Sequence, residues 1–368
     1  MTRALNPVYH FEPLDRGAAP RLTRINRQCP IEADFTFYFD RGADFFAWAD
    51  RCFESYHYIG IFCEDELVGY GMVGINRGQL GRELVPQVYL GDWRILPGHR
   101  GFSLGLQAAE ALATLLPDEV SHGYCLVKRG NAAVEWILRT RSAAQWTVQP
   151  LCPFAAVNLL FLRRPPAVAH VRRALPAHAE VMADLMRQTW HARLFAPAIA
   201  ATELAADLEQ LAHDGSGGYF MAHHHGRLVG LLRAWDSHAV RRTVVLGYSR
   251  RGQIIRQLVA GARHLLPHLA PLPGANQPLR TLTLHRVAVA NSNPAVLRDL
   301  LHAVLREYHG RGYHMAHLGL CGGDPLAAAV RWLPAQRFDS HIHLIARRGT
   351  DPPRVEPGLV PWIDLERI

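Results

Sequence analysis

Gln87–Gly105 reads QVYLGDWRILPGHRGFSLG, and the rest of the chain is organised around it. Val88, Tyr89, Leu90, Trp93 and Ile95 are strand formers, so the stretch begins as a β-strand. Leu96-Pro97-Gly98 ends that strand, because Pro97 has no amide to donate to a ladder and Gly98 permits a turn. The apolar periodicity from Leu106 to Leu116 predicts a helix. A strand, a glycine-bearing loop and a helix N-terminus together present unpaired backbone N–H groups at the positive end of a dipole, which is a phosphate-binding arrangement. Gly101 and Gly105 would let a pyrophosphate approach the backbone with no Cβ in the way.

The wording of the loop resembles one family. A strand followed by V/I-x-P-x-x-[RQ]-G-x-[GA]-x-[GA] and then a helix is the acyl-CoA signature of the GNAT N-acetyltransferases, here Ile95-Leu96-Pro97-Gly98-His99-Arg100-Gly101-Phe102-Ser103-Leu104-Gly105. Ser103 stands where the family usually has glycine. A second similarity is Asn131-Ala132-Ala133-Val134-Glu135-Trp136-Ile137-Leu138, against the family's N-x-x-[AS]-x-x-[LI]-Y. Leu138 replaces the tyrosine that protonates the departing thiolate, and a leucine cannot do so.

The resemblance implies an α/β (α+β) fold, acetyl-CoA or another acyl-CoA as co-substrate, and a small-molecule amine as acceptor. It implies that the pantetheine arm pairs with the backbone of Trp93, Arg94 and Ile95. The pyrophosphate would meet Arg100, Gly101, Phe102, Ser103, Leu104 and Gly105, and Asn131 would reach the pantetheine.

With 368 residues, 49% of them hydrophobic, the chain has room for two or three domains with proper cores. No apolar run is long enough to cross a bilayer, and the start MTRALNPVYHFEP lacks a secretory pattern. The six cysteines are scattered without CxxC spacing, as in reduced cytoplasmic proteins. A net charge of +8 would suit a polyanion, yet all the basic residues except Lys128 are arginines spread along the chain. That spread argues against a nucleic-acid surface, and local arginines equally suit the anionic cofactor.

In chain order, the first twenty residues, with Pro7, Pro13 and Pro20, read as an irregular arm. Phe35–Phe39 is an aromatic strand, and a short helix spans Asp44–Glu54. Residues 58–63 and 67–73 form a hairpin with an acidic turn, and Arg77–Pro86 reads as a polar loop. Tyr124–Val127 would lie parallel to the organising strand after a crossover helix, and a late strand spans Ala156–Leu162. Arg163-Arg164-Pro165-Pro166 reads as a linker.

The second half repeats strand, helices, hairpin (219–222 and 228–235), helix 254–266, strand 279–290, helix 295–309, strand 313–320, helix 325–334 and strand 338–346. Its loop Asn291-Ser292-Asn293-Pro294 has no R-G-x-x-x-G. The resemblance therefore implies two tandem GNAT-like domains, each a mixed twisted sheet flanked by helices. Residues 1–164 would carry the pyrophosphate loop, and 165–368 would be a degenerate copy.

Candidates for the catalytic base are Asp92, Tyr89 and Glu83 on or beside the central strand. Strand alternation puts Tyr89 and Asp92 on opposite faces unless a bulge intervenes. Asp92 also reads as a carboxylate held by neighbouring Arg94 or His99. No metal site is expected: His223-His224-His225 point to alternate faces, and His314, His317, His341 and His343 lack a further ligand at metal spacing. Cys321-Gly322-Gly323-Asp324 reads as a loop and helix cap, not a nucleophile. Acetyl transfer to a small metabolite or amino acid leads. A longer-chain acyltransferase, using aromatics of 35–53, and an acyl-CoA-binding protein without turnover are the alternatives.

Overall fold

A computed structural model of the chain describes residues 7–81, 83–101, 103–140, 145–191, 193–350 and 360–368. The strands of the first half are β1 Tyr9–Leu14, β2 Ile31–Glu32, β3 Phe35–Asp40, β4 Ser55–Cys63, β5 Glu66–Leu80, β6 Glu83–Ile95, β7 His122–Lys128 and β8 Trp146–Leu160. Those of the second half are β9 Val171–Arg173, β10 Gly217–His224, β11 Arg227–Trp235, β12 Arg242–Tyr248, β13 Gln277–Leu279, β14 Thr281–Val289, β15 Met315–Cys321 and β16 Ala335–Arg347. The α-helices are α1 Ala19–Gln28, α2 Ala47–Cys52, α3 Leu104–Ala113, α4 Ala132–Thr140, α5 Ala179–Trp190, α6 Ala201–Asp214, α7 Arg250–Ala262 and α8 Pro294–Tyr308.

Local sequence explains most of these elements. Helix α8 starts at Pro294, whose missing N–H costs nothing in a first turn. It buries Leu297, Leu300, Leu301, Val304, Leu305 and Tyr308, one stripe at helical spacing. Helix α3 turns Leu104, Ala108 and Leu112 onto β4 and β5 in the same way.

Twelve strands form one sheet in the order β1-β4-β5-β6-β7-β16-β8-β15-β14-β11-β10-β9. Five strands of the first half stand at one side and five of the second at the other. Between them the last strand of each half has crossed over: β16 pairs with β7, and β8 pairs with β15. The two exchanged strands pair antiparallel with each other from Ala335↔Leu159 to Arg347↔Trp146. A second sheet, β13-β12-β3-β2, also joins the halves, because β12 pairs with β3 from Arg242↔Asp40 to Tyr248↔Phe35.

Several expectations are corrected. Residues 7–20, the described part of the expected irregular arm, are regular. They supply the edge strand β1, where Pro13 opposite Ile59 is tolerated, and the start of α1, with Pro20 in its first turn. Arg77–Pro86 is not a loop: β5 and β6 pair out to Leu80↔Glu83. The late strand of the first half begins at Trp146, ten residues before Ala156. The aromatic strand at 35–39 belongs to the second sheet, and its partner β12 was not foreseen. The expected helix at 325–334 is a 3-10 turn over Pro325–Val330.

The C-terminal tail is built into the centre. Residues Pro361–Leu365 line the gap between the diverging ends of β14 and β15, together with Leu284–Val287 and Leu318–Cys321. Trp362 donates its N–H to the Leu194 carbonyl (2.8 Å), and the Trp48 indole donates to the Glu366 carbonyl (2.9 Å). His285 Nδ1 lies 2.7 Å from Glu366 Oε2 and 3.3 Å from Asp364 Oδ2, and Arg233 reaches Glu366 at 3.4 Å. Burial opposes a charge on His285, but Glu366 and Asp364 outweigh it and raise its pKa. Burial likewise opposes a charged Glu366, and His285 with Arg233 more than offsets this, holding its carboxyl well down. The three acidic and imidazole groups have ligand atoms within 4.8 Å of one another, the kind of cluster that could take a cation. It was not among the histidines picked out from sequence. Here Arg233 and a protonated His285 supply the positive charge.

Two outcomes follow from this architecture. Only Val88–Leu90 of β6 pair with Gly123–Cys125 of β7, and a Cβ on Gly123 would lie 2.1 Å from the Val88 carbonyl oxygen. Gly123→Ala should therefore cost about 2 kcal/mol in urea unfolding. Glu366 contributes stability present above its ordinary 4.5 and lost as pH falls through its lowered pKa. His285 contributes stability present below its ordinary 6.5 and lost as pH rises through its raised pKa. Melting temperature should pass a maximum between those two ordinary values, 4.5 and 6.5. In Glu366→Gln the fall on the alkaline side should flatten, and the whole curve should drop by about 3 kcal/mol as His285 and Arg233 lose a buried partner.

Candidate functional site

Strands β6 and β7 run parallel, joined by α3, and after Leu90 and Cys125 they part. The cause lies on β6. Tyr70 pairs with Arg94 and Met72 with Gly91, so Asp92 and Trp93 together oppose the single Gly71. This is a β-bulge, and Asp92 takes a left-handed φ of +53° within it. The bulge is what lets Tyr89 and Asp92 come near each other, which simple alternation forbade.

The loop beyond β6 begins with a 3-10 turn, Pro97–His99. Gly101 follows at φ +100° and Ser103 at +56°. The left-handed Ser103 explains why glycine is the easier residue there. Ser103 does not cap α3 with its side chain. Its carbonyl accepts the N–H groups of Leu106 (3.0 Å) and Gln107 (3.1 Å). The N–H groups of Ser103, Leu104 and Gly105 find no backbone acceptor among the described residues. Apart from their chain neighbours, no described atom lies within 4 Å of a Cβ built on Gly98, Gly101 or Gly105. Phe102 lies outside the described residues. Arg100 folds back, its Nε donating to the Ile95 carbonyl at 3.0 Å, and Arg94 Nη1 donates to the Trp93 carbonyl at 2.8 Å. Asn131, exposed just past β7 at the same end of the sheet, accepts the Val134 N–H (3.4 Å) and so begins α4.

The second half has the same bulge with different contents. Arg286, at φ +51°, and Val287 together oppose Leu232. There the helix start is closed: Pro294 has no N–H, and Asn293 Oδ1 accepts the Ala295 N–H at 3.0 Å. Its splay is occupied by the chain's own tail.

Charge at the first bulge is concentrated around one carboxylate. Asp92 Oδ2 accepts from Arg41 Nη2 at 3.0 Å, and its Oδ1 is 3.6 Å from Arg94 Nη2; all three side chains are buried. Tyr89 is buried against Phe53 and Tyr124, with ring centroids 6.0 and 5.5 Å away. Burial first, then the neighbouring Tyr124 and Asp92, push its phenol well above the ordinary value. Glu83 is not brought here. It is exposed at the far end of β6, twelve residues from Ile95, or about 40 Å of strand. Leu138, where a tyrosine would be sought, lies in α4 packed on the apolar core of the first half.

Among the other candidates, Cys321 is buried, donates to the Pro361 carbonyl (3.3 Å) and has its pKa pushed up by its hydrogen bond with Cys152 and by burial. Burial drops His317 to about 4, and its Nδ1 is hydrogen-bonded to Asn158 Oδ1. Arg41 and Arg241 were not singled out from sequence. They reach the bulge from a loop and from the second sheet, and no local signal marks either.

None of the curated proteins compared with the chain by sequence matches it. Among solved structures, N-myristoyltransferase of Saccharomyces cerevisiae with bound myristoyl-CoA has a TM-score of 0.60 at 10% identity, over 96% of this chain and 82% of that one. An acetyltransferase of the GNAT family from Colwellia psychrerythraea gives 0.52 at 10% identity, over 92% of this chain and 99% of that one. At such identities the likeness is one of fold, and it agrees with the mixed sheet flanked by helices. No helix among the described residues is long and apolar enough to cross a membrane. Residues 19–134, which include the parted strands and the loop between β6 and α3, match the model of the acetyltransferase (GNAT) family.

Proposed function

We propose that the protein is an acyl-CoA-dependent N-acyltransferase of two tandem GNAT-like domains, 1–164 and 165–368, with the cofactor held in the first. The observation that carries this is the pairing of an open splay with an open loop. Strands β6 and β7 separate after three paired residues, and at that same end the N–H groups of Ser103, Leu104 and Gly105 have no backbone acceptor among the described residues, beside glycines whose Cβ positions are open. Pyrophosphate would sit on the loop and the pantetheine would extend along Trp93–Ile95 where the strands part, displacing Arg94 from the Trp93 carbonyl and Arg100 and the Cys29 thiol from that of Ile95. In the second half the tail lines the divergence of β14 and β15 and Asn293 caps the start of α8, which supports a structural role for it.

For the chemistry, acetyl is the donor we favour, with a primary amine attacking the thioester directly in a ternary complex. Tyr89 keeps its proton at neutral pH and would donate a hydrogen bond to the thioester oxygen or the leaving sulfur. Asp92, already engaged by Arg41 and Arg94, would position those cations, and bulk water would take the ammonium proton. Glu83 would have no part from where it stands.

A protein that binds acyl-CoA without turning it over is the second reading, favoured by Leu138 in place of the acid. A longer acyl chain is favoured by the half-buried Phe35, Phe37 and Phe39 of β3.

Thermal unfolding with acetyl-CoA, coenzyme A and myristoyl-CoA tests the site. Ligand at a hundred times its dissociation constant should stabilise the protein by about 2.7 kcal/mol. Gly105→Glu should abolish that shift and leave the free protein's unfolding free energy within about 0.5 kcal/mol of wild type. Its side chain enters open space in a helical first turn, where a carboxylate suits the helix and repels a pyrophosphate. A shift that survives Gly105→Glu would remove the loop from the cofactor site.

A further inference from the structure

Arg241, just ahead of β12, has no hydrogen bond or ion pair on its side chain among the described residues. Its guanidinium carbon lies 3.9 Å from the Phe39 ring centroid and 5.2 Å from that of Trp48. The same indole carries Arg41 at 3.9 Å. Arg41 is 4% exposed, and only its Nη2 is satisfied, by Asp92; its Nε and Nη1 are buried with no partner. Two guanidinium groups therefore share one indole, with several N–H donors unused.

The local charge is unbalanced. Arg41, Arg94 and Arg241 surround a single carboxylate, Asp92, which Arg41 and Arg94 already hold. The tail carboxylates Asp364 and Glu366 are committed to His285 and Arg233. Burial, and then the like charge of Arg41, drag the Arg241 pKa down to about 9. Arg241 itself is half-buried, with part of the side chain at the surface. A buried cation without a counter-charge is costly and persists where something else requires it.

We propose that Arg241 and Arg41 anchor a carboxylate of the acceptor, so that the substrate class is an amine that also bears a carboxylate, as an α-amino acid does. A carboxylate takes two parallel N–H bonds from a guanidinium fork and would cancel the excess charge. The aromatic faces of Phe39 and Trp48 fix the planes of the two forks. Polyamines and other polycations are disfavoured at the same place by three guanidinium groups. Arg41 is bonded to Asp92 in the bulge of β6, near where that strand leaves β7, so an anchored molecule would present its amine there. What happens to that amine rests on the acyl-transfer reading; the binding of the carboxylate does not.

The test uses the full chain as wild type, Arg241→Met and Arg241→Lys. Titration calorimetry is run with the standard L-amino acids and with their carboxamides, and acetyl-CoA binding is measured separately by thermal shift. Wild type should prefer at least one acid over its carboxamide by about tenfold or more. Arg241→Met should bring that ratio to about one, and Arg241→Lys, which keeps the charge and loses the fork, should lower it at least threefold. Arg241→Met should melt no lower than wild type, since it removes an uncompensated cation; the lysine variant reads the ratio if the methionine variant does not fold. All three should keep the acetyl-CoA shift. A ratio unchanged in the variants, or acids that bind no better than carboxamides, overturns the proposal. If acids bind as expected but acetyl-CoA never does, the transferase reading falls and the anchor stands.

Discussion

The long antiparallel ladder between β8 and β16 is the constraint on which the rest depends. Each of these strands comes from one half and is built into the sheet of the other. Without β16, β7 has no neighbour on its far side, and β7 is one wall of the splay that opens toward the loop. The second sheet adds another tie, since β3 and β12 come from opposite halves and carry Phe39 and the approach to Arg241. The strand, loop and helix of the candidate site are therefore close in sequence, while their frame is made by distant residues.

A bulge repeated in both halves has been put to different ends. On β6 it leaves a carboxylate among arginines where the strand parts from β7. On β14 it leaves Arg286 paired with Asp207 and Tyr219, and the divergence is filled by the tail. The difference is chemical as well as steric. Proline and an asparagine cap have consumed the donors that α8 would otherwise offer, whereas α3 starts at a serine that caps nothing.

What the sequence reveals follows the range of the interaction. The strand, loop and helix of 87–116 were legible because turn chemistry and periodicity are local, as were the hairpins at 58–73 and 219–235. Edge strand β1 was hidden by Pro13, which an edge tolerates and a central strand does not. The polar residues 77–86 looked like a loop because their pairing is a continuation of a hairpin, not a pattern of burial. At the site, Asp92 and Tyr89 could be named from their place on the strand. Arg41 and Arg241 could not, because they lie 51 and 149 residues from Asp92 and meet it only through the second sheet. His285, Asp364 and Glu366 were missed for the same reason.

The crossed strands also set an order of assembly. During synthesis the first five strands of the large sheet emerge early, and their completing neighbour is almost the last element made. Until residue 347 has left the ribosome, β7 is an exposed edge and β8 has no place in its own half. The growing chain must wait with an open sheet edge, so a chaperone that shields such edges is a natural companion of its biogenesis. Neither half is a separable module: cutting the gene at the linker would release two incomplete sheets, each missing the strand that the other carries.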